Sequence, residues 1–169
     1  MRIRRSNFSS KATPTTTQIM TESSERDNES DRYELGRFVD AQTDSYDRAL
    51  AELRRGRKRS HWMWYIFPQI EGLGRSTTAR FFSIKSAAEA EAYLRHPILG
   101  SRLNACADAV LAAEGRSAHD IFGFPDVLKL RSCMTLFAHL SSDGSVFHQV
   151  LEKYFQGQPD EETLRILKR

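Results

Sequence analysis

The sequence predicts an all-α fold, a single compact domain of about six to eight short helices, and three observations lead to this prediction. Apolar residues recur at three- and four-residue spacing through most of the chain after residue 32. Glycine, proline or a capping serine stands near the ends of these periodic segments. Outside residues 60–67 and 76–84, the alternation of glycine and β-branched residues is nearly absent. A small α+β fold is the alternative, because residues 60–67 and 76–84 suit a helix or a strand equally well.

Several segments of the chain carry the helical pattern, in this order: residues 34–54, 86–95, 97–114, 125–140, 145–155 and 160–168. Ser86 followed by Glu89 has the spacing of a capping box and predicts the start of the second segment. Gly157 and Pro159 separate the last two segments, since neither residue continues a helix well. The segment 125–140 is apolar around most of its circumference, which predicts a helix inside the domain.

The 169-residue chain, 40% of it hydrophobic, divides into a tail and one domain. Residues 1–32 hold few large apolar side chains and predict a disordered tail, and residues 33–169 then form the helical domain. The tail is basic and free of acids before Met20 and mostly acidic after it. An organelle transit peptide and translation from Met20 are alternative interpretations of that break.

The net charge of +3 depends on the tail, so it gives little support to a nucleic-acid binder. Without the four cations of residues 1–19, the net charge becomes −1. Two cysteines, Cys106 and Cys133, exclude a disulfide scaffold and a four-cysteine zinc site, and they favour a reducing cytoplasm. The longest apolar run, residues 62–67, is far shorter than the roughly 18 residues of a membrane span. We therefore expect a cytoplasmic protein without a membrane segment, and its oligomeric state stays open.

A run of cations leads into the indole-rich segment of the chain. Arg57, Lys58 and Arg59 can neutralise phosphate groups, and Trp62 can stack on a base. These residues therefore predict an anion site after the first helical segment. The alternatives are a solvated turn for the cations and a core position for the tryptophan, since residues 62–67 are apolar on every side.

The glycine-rich segment that follows is a weaker candidate. Gln69, Gly72 and Gly74 precede a capping residue at position 76 or 77, and free N–H groups at such a helix start attract anions. The segment has neither the end of a Walker loop nor a dinucleotide fingerprint. Most turns of this kind only cap a helix, which is the alternative interpretation.

The predicted internal helix over 125–140 carries a narrow polar stripe. The stripe consists of Arg131, Ser132, Thr135 and His139, and Lys129 lies some distance around the helix from Ser132. The candidate ligands on this helix are Lys129, Arg131, Ser132 and Thr135. Polar side chains on a mostly apolar helix must be paired or must line a cavity. We expect this stripe and the basic run to share one pocket, which would bring His61 near Arg131. A structural salt bridge or solvent exposure is the alternative.

Residues suited to catalysis are few. His61 is the candidate general acid or base, and Glu71 is the nearest candidate carboxylate in the sequence. The five histidines lack the spacing of metal ligands, so we expect no metal, and no motif requires a cofactor. Whether the protein is an enzyme stays open at this stage.

Two long segments of the chain have a distinctive sequence, GRKRSHWMWYIFPQ at residues 56–69 and KLRSCMTLF at residues 129–137. Shorter distinctive segments lie at residues 38–42, 72–74, 96–103, 121–123 and 125–126. In these segments, and over roughly residues 33–168, the chain resembles the domain-of-unknown-function 1810 family. The resemblance implies a mainly helical, single-domain protein from a family of mostly bacterial members without an established activity. Many members bear an automatic calpastatin label, which this sequence does not support, because calpastatin repeats are disordered.

Two functions follow from these observations. The first is a helical domain that binds, or acts on, a small anionic and phosphate-bearing ligand such as a nucleotide or an NAD-derived metabolite. The second is a non-enzymatic interaction module that binds protein or nucleic acid through the basic run at residues 54–59. A shared pocket distinguishes the two, since the module needs only an exposed basic surface.

Overall fold

The structure is a computed structural model, and it describes residues 24, 25, 28 and 32–169. The predicted tail over 1–32 and the alternative start at Met20 therefore lie almost entirely outside the described residues. From residue 36 to the end, ten helices follow one another, and the described residues form no sheet. A single parallel bridge joins Ile70 to Ile84. The prediction of an all-α domain is confirmed.

The helices are short, and their bounds are α1 Gly36–Thr43, α2 Tyr46–Arg54, α3 Met63–Ile66, α4 Thr77–Phe81, α5 Ala87–Arg95, α6 Leu99–Ala112, α7 Ala118–Phe122, α8 Asp126–His139, α9 Val146–Phe155 and α10 Glu161–Leu167. The prediction of one continuous helix over 34–54 is wrong. The buried Ser45 donates its hydroxyl to the carbonyl of Ala41 (2.7 Å), and such a local bond competes with the helix backbone. The chain therefore breaks after Thr43 and begins a new helix at Tyr46.

The helix α8 lies at the centre of the domain and packs against α5, α7, α9 and α10. Residues 132–138 are all buried, as the apolar pattern around its circumference predicts. Phe137 connects two neighbouring helices, because its ring lies 5.5 Å from that of Tyr93 on α5 and 5.7 Å from that of Phe147 on α9. The helix α6 forms the second centre and packs against α2, α3, α5 and α9.

A buried ion pair connects the start of α5 to α1. Ser86 caps α5 by accepting the N–H of Glu89 (3.1 Å), as the sequence predicts. The Glu89 carboxylate does not return to Ser86, as it would in a capping box. It accepts the backbone N–H of Lys85 (2.8 Å) and the guanidinium of Arg37 (2.5 Å), and it is only 1% exposed. The same guanidinium donates to four backbone carbonyls, at Tyr33, Glu34, Phe81 and Ser83.

We predict that Glu89→Gln lowers the free energy of unfolding by about 3 kcal/mol, because it leaves the Arg37 charge without its carboxylate in a mostly buried site. Urea unfolding of the purified protein measures this loss. Glu91→Gln on the same helix is the matched control, since its ion pair with Arg95 is half exposed and 3.6 Å long, and it should cost less than about 1 kcal/mol. Equal losses for the two variants would contradict the assignment.

Candidate functional site

The basic turn after α2 is organised by the carboxylate of Glu52. This residue lies in the last turns of α2 and is 6% exposed. Its carboxylate accepts the backbone N–H groups of Arg59 (2.8 Å) and Ser60 (3.0 Å), the Ser60 hydroxyl (2.5 Å) and the Trp62 indole N–H (2.8 Å). Four donors from the turn thus converge on one side chain, which fixes the path of the chain between α2 and α3.

Those four hydrogen bonds dominate the electrostatics of Glu52. Burial by itself would raise the pKa of the carboxyl. The bonds from Ser60, Arg59 and Trp62 outweigh this effect and lower the pKa to about 2, because all of them favour the charged form. Glu52 is therefore ionised at neutral pH, and both of its oxygens are occupied by donors of the protein itself.

A cleft of about 590 Å³ opens between this turn and the start of α7. We call it the arginine cleft, and its lining residues are Arg48, Ala51, Glu52, Arg55, Arg57, Arg59 and Arg116. The residues at 48–52 belong to α2, those at 55–59 to the turn that Glu52 holds, and Arg116 to the loop before α7. Gly56 lets the turn approach this loop, since a Cβ atom there would stand 2.8 Å from the Cδ atom of Arg116.

None of the five guanidinium groups of the arginine cleft forms an ion pair or a hydrogen bond within the described residues 32–169. Glu52 lines the cleft, but four donors already occupy its oxygens. Asp120 is electrostatically coupled to Arg116, yet its carboxylate binds Ser117 in the capping box of α7. The cleft is therefore strongly electropositive and offers planar donors that match carboxylate and phosphate oxygens.

Two of the predicted ligand residues, Arg57 and Arg59, line this cleft, whereas Lys58 between them does not. The Lys58 ammonium points to the other side of the turn and pairs with Asp126 (2.9 Å) at the start of α8. It also donates to the carbonyl of Ser60 (2.6 Å) and lies over the Trp62 ring. Lys58 therefore attaches the turn to α8.

The two predicted segments meet at Asp126. Lys129 pairs with one oxygen of this carboxylate (3.1 Å) and lies over the ring of Trp64, while Lys58 pairs with the other oxygen. Burial opposes ionisation of Asp126, but the two lysines outweigh it and lower the pKa of the carboxyl. The basic run and α8 thus meet through these two lysines, and the contact between them is an ion network within the protein. No contact among the described residues joins His61 to Arg131, so the shared pocket stays a prediction.

The rest of the predicted polar stripe binds the segment that leads into α10. Arg131 donates to the carbonyls of Gln158 (2.9 Å) and Pro159 (3.0 Å), and Thr135 accepts the N–H of Asp160 (2.8 Å). Ser132 is buried and donates to the carbonyl of Leu128 (3.0 Å) in its own helix. Arg131, Ser132 and Thr135 do not line the arginine cleft. The geometry favours a structural interpretation of this stripe.

The glycine-rich segment also has structural contacts. The carbonyl of Gln69 accepts the N–H of Ile84 (2.8 Å), and a Cβ atom at Gly74 would collide with Ala79 on α4. Ser76 caps α4 by accepting the N–H of Ala79 (3.1 Å), in agreement with the prediction of a cap. Gly72 has a φ of +104°, which a side chain rarely adopts, so it shapes the turn. The arginine cleft does not include Gln69, Gly72 or Gly74.

The remaining candidates lie apart from one another. Trp62 is fully buried, and its indole N–H binds Glu52, which favours the core interpretation over a stacking platform. His61 is exposed and has no hydrogen-bond partner within residues 32–169. Glu71 is also exposed and pairs with Lys85 (3.0 Å), so no contact joins it to His61. The proposed acid–base pair stays a prediction without geometric support.

Several cleft residues were not among the predicted ligands. One face of α2, extended by the residue that follows the helix, carries Arg48, Ala51 and Arg55. Their spacings of three and four residues place them on the same side of a helix, and this spacing is visible in the sequence. Arg116 comes some sixty residues later in the chain, and no local sequence pattern connects it to this face of α2. The residues that the structure describes contain no group of three or more potential metal ligands. No described helix is long and apolar enough to cross a membrane.

Comparisons with known proteins agree with the fold. The family described as "Protein of unknown function (DUF1810)" matches residues 32–167. The crystal structure of the conserved hypothetical protein Rv1873 from Mycobacterium tuberculosis is similar, with 47% sequence identity and a TM-score of 0.80. The similarity covers 82% of this chain and 99% of the mycobacterial chain. No functionally curated protein matches the chain at a significant level.

We predict that Glu52→Gln lowers the free energy of unfolding by about 3 kcal/mol at pH 7, because the pKa of Glu52 falls from 4.5 to about 2 on folding. A lowered pKa contributes stability that is complete above about pH 4.5 and is lost as the pH falls toward 2. The difference in the free energy of unfolding between wild type and variant should therefore become smaller as the pH falls from 4.5 toward 2. Urea unfolding at pH 7, 4 and 3 measures it.

Asp44→Asn is the control for this experiment, since Asp44 is exposed at the end of α1. This variant should keep the wild-type pH dependence to within about 0.5 kcal/mol. A Glu52→Gln variant with the same pH dependence as wild type would show that the four hydrogen bonds do not favour the charged carboxylate.

Proposed function

This chain belongs to the DUF1810 family of unknown function, and we propose that it binds a small, anionic, phosphate-bearing ligand in the arginine cleft. The observation that supports this proposal is a set of five guanidinium groups without protein partners around one concavity of about 590 Å³. Ligand-binding clefts commonly have volumes of roughly 300 to 1,000 Å³. The candidate ligand classes are a nucleotide and an NAD-derived metabolite, in a bacterial cytoplasm.

The charges of the cleft support an anionic occupant on energetic grounds. Like charges that face one another without a counter-charge repel and lower the free energy of unfolding. A bound anion attracts these charges and so raises the free energy of unfolding. Arginine also suits phosphate better than lysine does, because its planar fork donates two parallel hydrogen bonds to two oxygens. The turn that carries Arg57 and Arg59 is held by Glu52, so these two donors start from a fixed backbone.

The cleft favours a small ligand over the interaction module that is the second candidate. Of the basic run at 54–59, Lys58 is paired with Asp126, and Arg54 lies in a separate shallow groove with Asp108. The three arginines of this run that line the cleft, Arg55, Arg57 and Arg59, therefore face a concavity and do not form a flat basic stripe. A duplex nucleic acid needs a continuous surface along its backbone.

Binding is tested by thermal unfolding with and without phosphate-bearing ligands, from inorganic phosphate to nucleotides. A ligand at one hundred times its dissociation constant should stabilise the wild-type protein by roughly 2.7 kcal/mol. The double variant Arg57→Gln/Arg59→Gln should lose this stabilisation, because two of the cleft donors are removed. Arg54→Gln, which removes a cation next to the cleft but outside its lining, should retain it.

Two further outcomes make the test decisive. Arg131→Ala should unfold at a lower temperature, since it removes two bonds to the loop before α10, and should keep the full ligand shift. Stabilisation by duplex DNA that falls steeply with salt, in the absence of any small-ligand shift, would contradict the proposal and support the interaction module.

We also predict that Arg57→Gln or Arg59→Gln does not destabilise the ligand-free protein. Each substitution removes one charge from a cluster of like charges and breaks no hydrogen bond or ion pair of the side chain in the described structure. The free energy of unfolding should stay the same or rise by a few tenths of a kcal/mol, about the size of like-charge repulsion on a helix surface. A loss above about 1 kcal/mol would mean that the guanidinium has a protein partner.

A further inference from the structure

We infer that the ligand of the arginine cleft carries at least two linked phosphate groups and that the protein recognises this phosphate chain and not a nucleobase. The inference rests on the proposed function and specifies its ligand class. Three properties of the cleft support it: the number of guanidinium groups, the chemistry of the lining and the size of the concavity.

The number of guanidinium groups exceeds what one phosphate can use. A phosphate monoester carries about −1.5 to −2 charges near neutral pH and offers three terminal oxygens. Those oxygens present edges to about three guanidinium forks, whereas five guanidinium groups surround the cleft. Two linked phosphates carry roughly twice the charge and offer enough terminal oxygens to accept from all five.

Once phosphate oxygens engage the guanidinium groups, the lining has no further group that recognises a nucleobase. Apart from the arginines and Glu52, its one residue is Ala51, so no aromatic ring is available for stacking. The neighbouring indoles are already in use, because Trp62 is fully buried and Trp64 is covered by the Lys129 ammonium. Glu52 is a poor acceptor for a base edge, since three donors of the turn bind its Oε2 atom and the Ser60 hydroxyl binds its Oε1 atom. A base attached to the ligand would therefore extend away from the cleft.

The size and the construction of the cleft also fit a phosphate chain. A water molecule occupies about 30 Å³ of liquid, and one phosphate ion is only a few times larger, so a single phosphate fills a small part of 590 Å³. The donors come from three separate parts of the chain, at Arg48 on α2, at residues 55–59 and at Arg116 before α7. An extended chain of phosphates can contact all three parts at once.

Calorimetric titration of the full chain, at constant ionic strength and without divalent cations, tests the inference. The ligands are phosphate, pyrophosphate, tripolyphosphate, ATP, GTP and citrate. We expect pyrophosphate to bind at least roughly tenfold tighter than phosphate, which corresponds to one added set of charged hydrogen bonds. Tripolyphosphate, ATP and GTP should bind within about threefold of one another, because the base makes no contact.

Variants separate the parts of the cleft. The double variant Arg48→Gln/Arg116→Gln removes the donors of α2 and of the loop before α7. It should lower the affinity for pyrophosphate by a larger factor than the affinity for phosphate. Arg54→Gln keeps the cleft lining and should leave both affinities unchanged.

Each remaining outcome overturns the inference in a recognisable way. Equal affinities for phosphate and pyrophosphate, or a more than tenfold difference between ATP and GTP, would overturn the phosphate-chain assignment and leave the proposed function intact. If citrate bound as tightly as tripolyphosphate, the cleft would select its ligand by charge alone, and the phosphate-chain assignment would also be overturned. Absence of binding by every anion would overturn the proposed function together with the inference.

Discussion

The carboxylate of Glu52 is the interaction on which the candidate site depends. Glu52 lies in the last turns of α2, and four donors from the following turn bind its carboxylate. Two of those donors are the backbone N–H groups of Arg59 and Ser60, so the carboxylate fixes the end of the turn. The N–H groups of Arg57 and Lys58 bind the backbone carbonyls of Glu52 (3.1 Å) and Ile121 (2.7 Å), which fix its start. In the turn held in this way, Arg57 and Arg59 line the arginine cleft with α2, while Lys58 binds Asp126.

The cations of the domain differ in whether the protein supplies a partner. Arg37 has the buried Glu89, Lys58 and Lys129 share Asp126, and Arg131 has two backbone carbonyls. Each of these pairings joins two helices or a helix and a loop, so it contributes to the fold. The five arginines of the cleft have no such partner among the described residues, although a buried carboxylate lies in the same lining. That contrast is the physical basis for assigning the cleft to a ligand.

The sequence predicts the fold class well, because helical periodicity and capping residues are local signals. The central position of α8 follows from its apolar circumference, and the Ser86 cap follows from its spacing to Glu89. The break at Ser45 depends on a single hydrogen bond, and the short helix α7 depends on the capping box of Ser117 and Asp120. The pattern of apolar residues contains neither signal. Sequence reasoning found Arg57 and Arg59 but grouped them with Lys58. The direction of each side chain depends on contacts of the folded turn, such as that of Lys58 with Asp126. Arg116 could not be assigned, because it lies some sixty positions after α2 and no local pattern connects the two.

The most direct test of the central claim is to observe the guanidinium groups themselves. A titration of the side-chain Nε–H resonances by NMR with pyrophosphate reports each arginine separately. We expect saturable shifts for the arginines of the cleft, whereas the resonances of Arg37 and Arg131, whose Nε–H groups already donate to carbonyls, should stay unchanged. Shifts confined to arginines outside the cleft, or no saturable shift at all, would contradict the central claim.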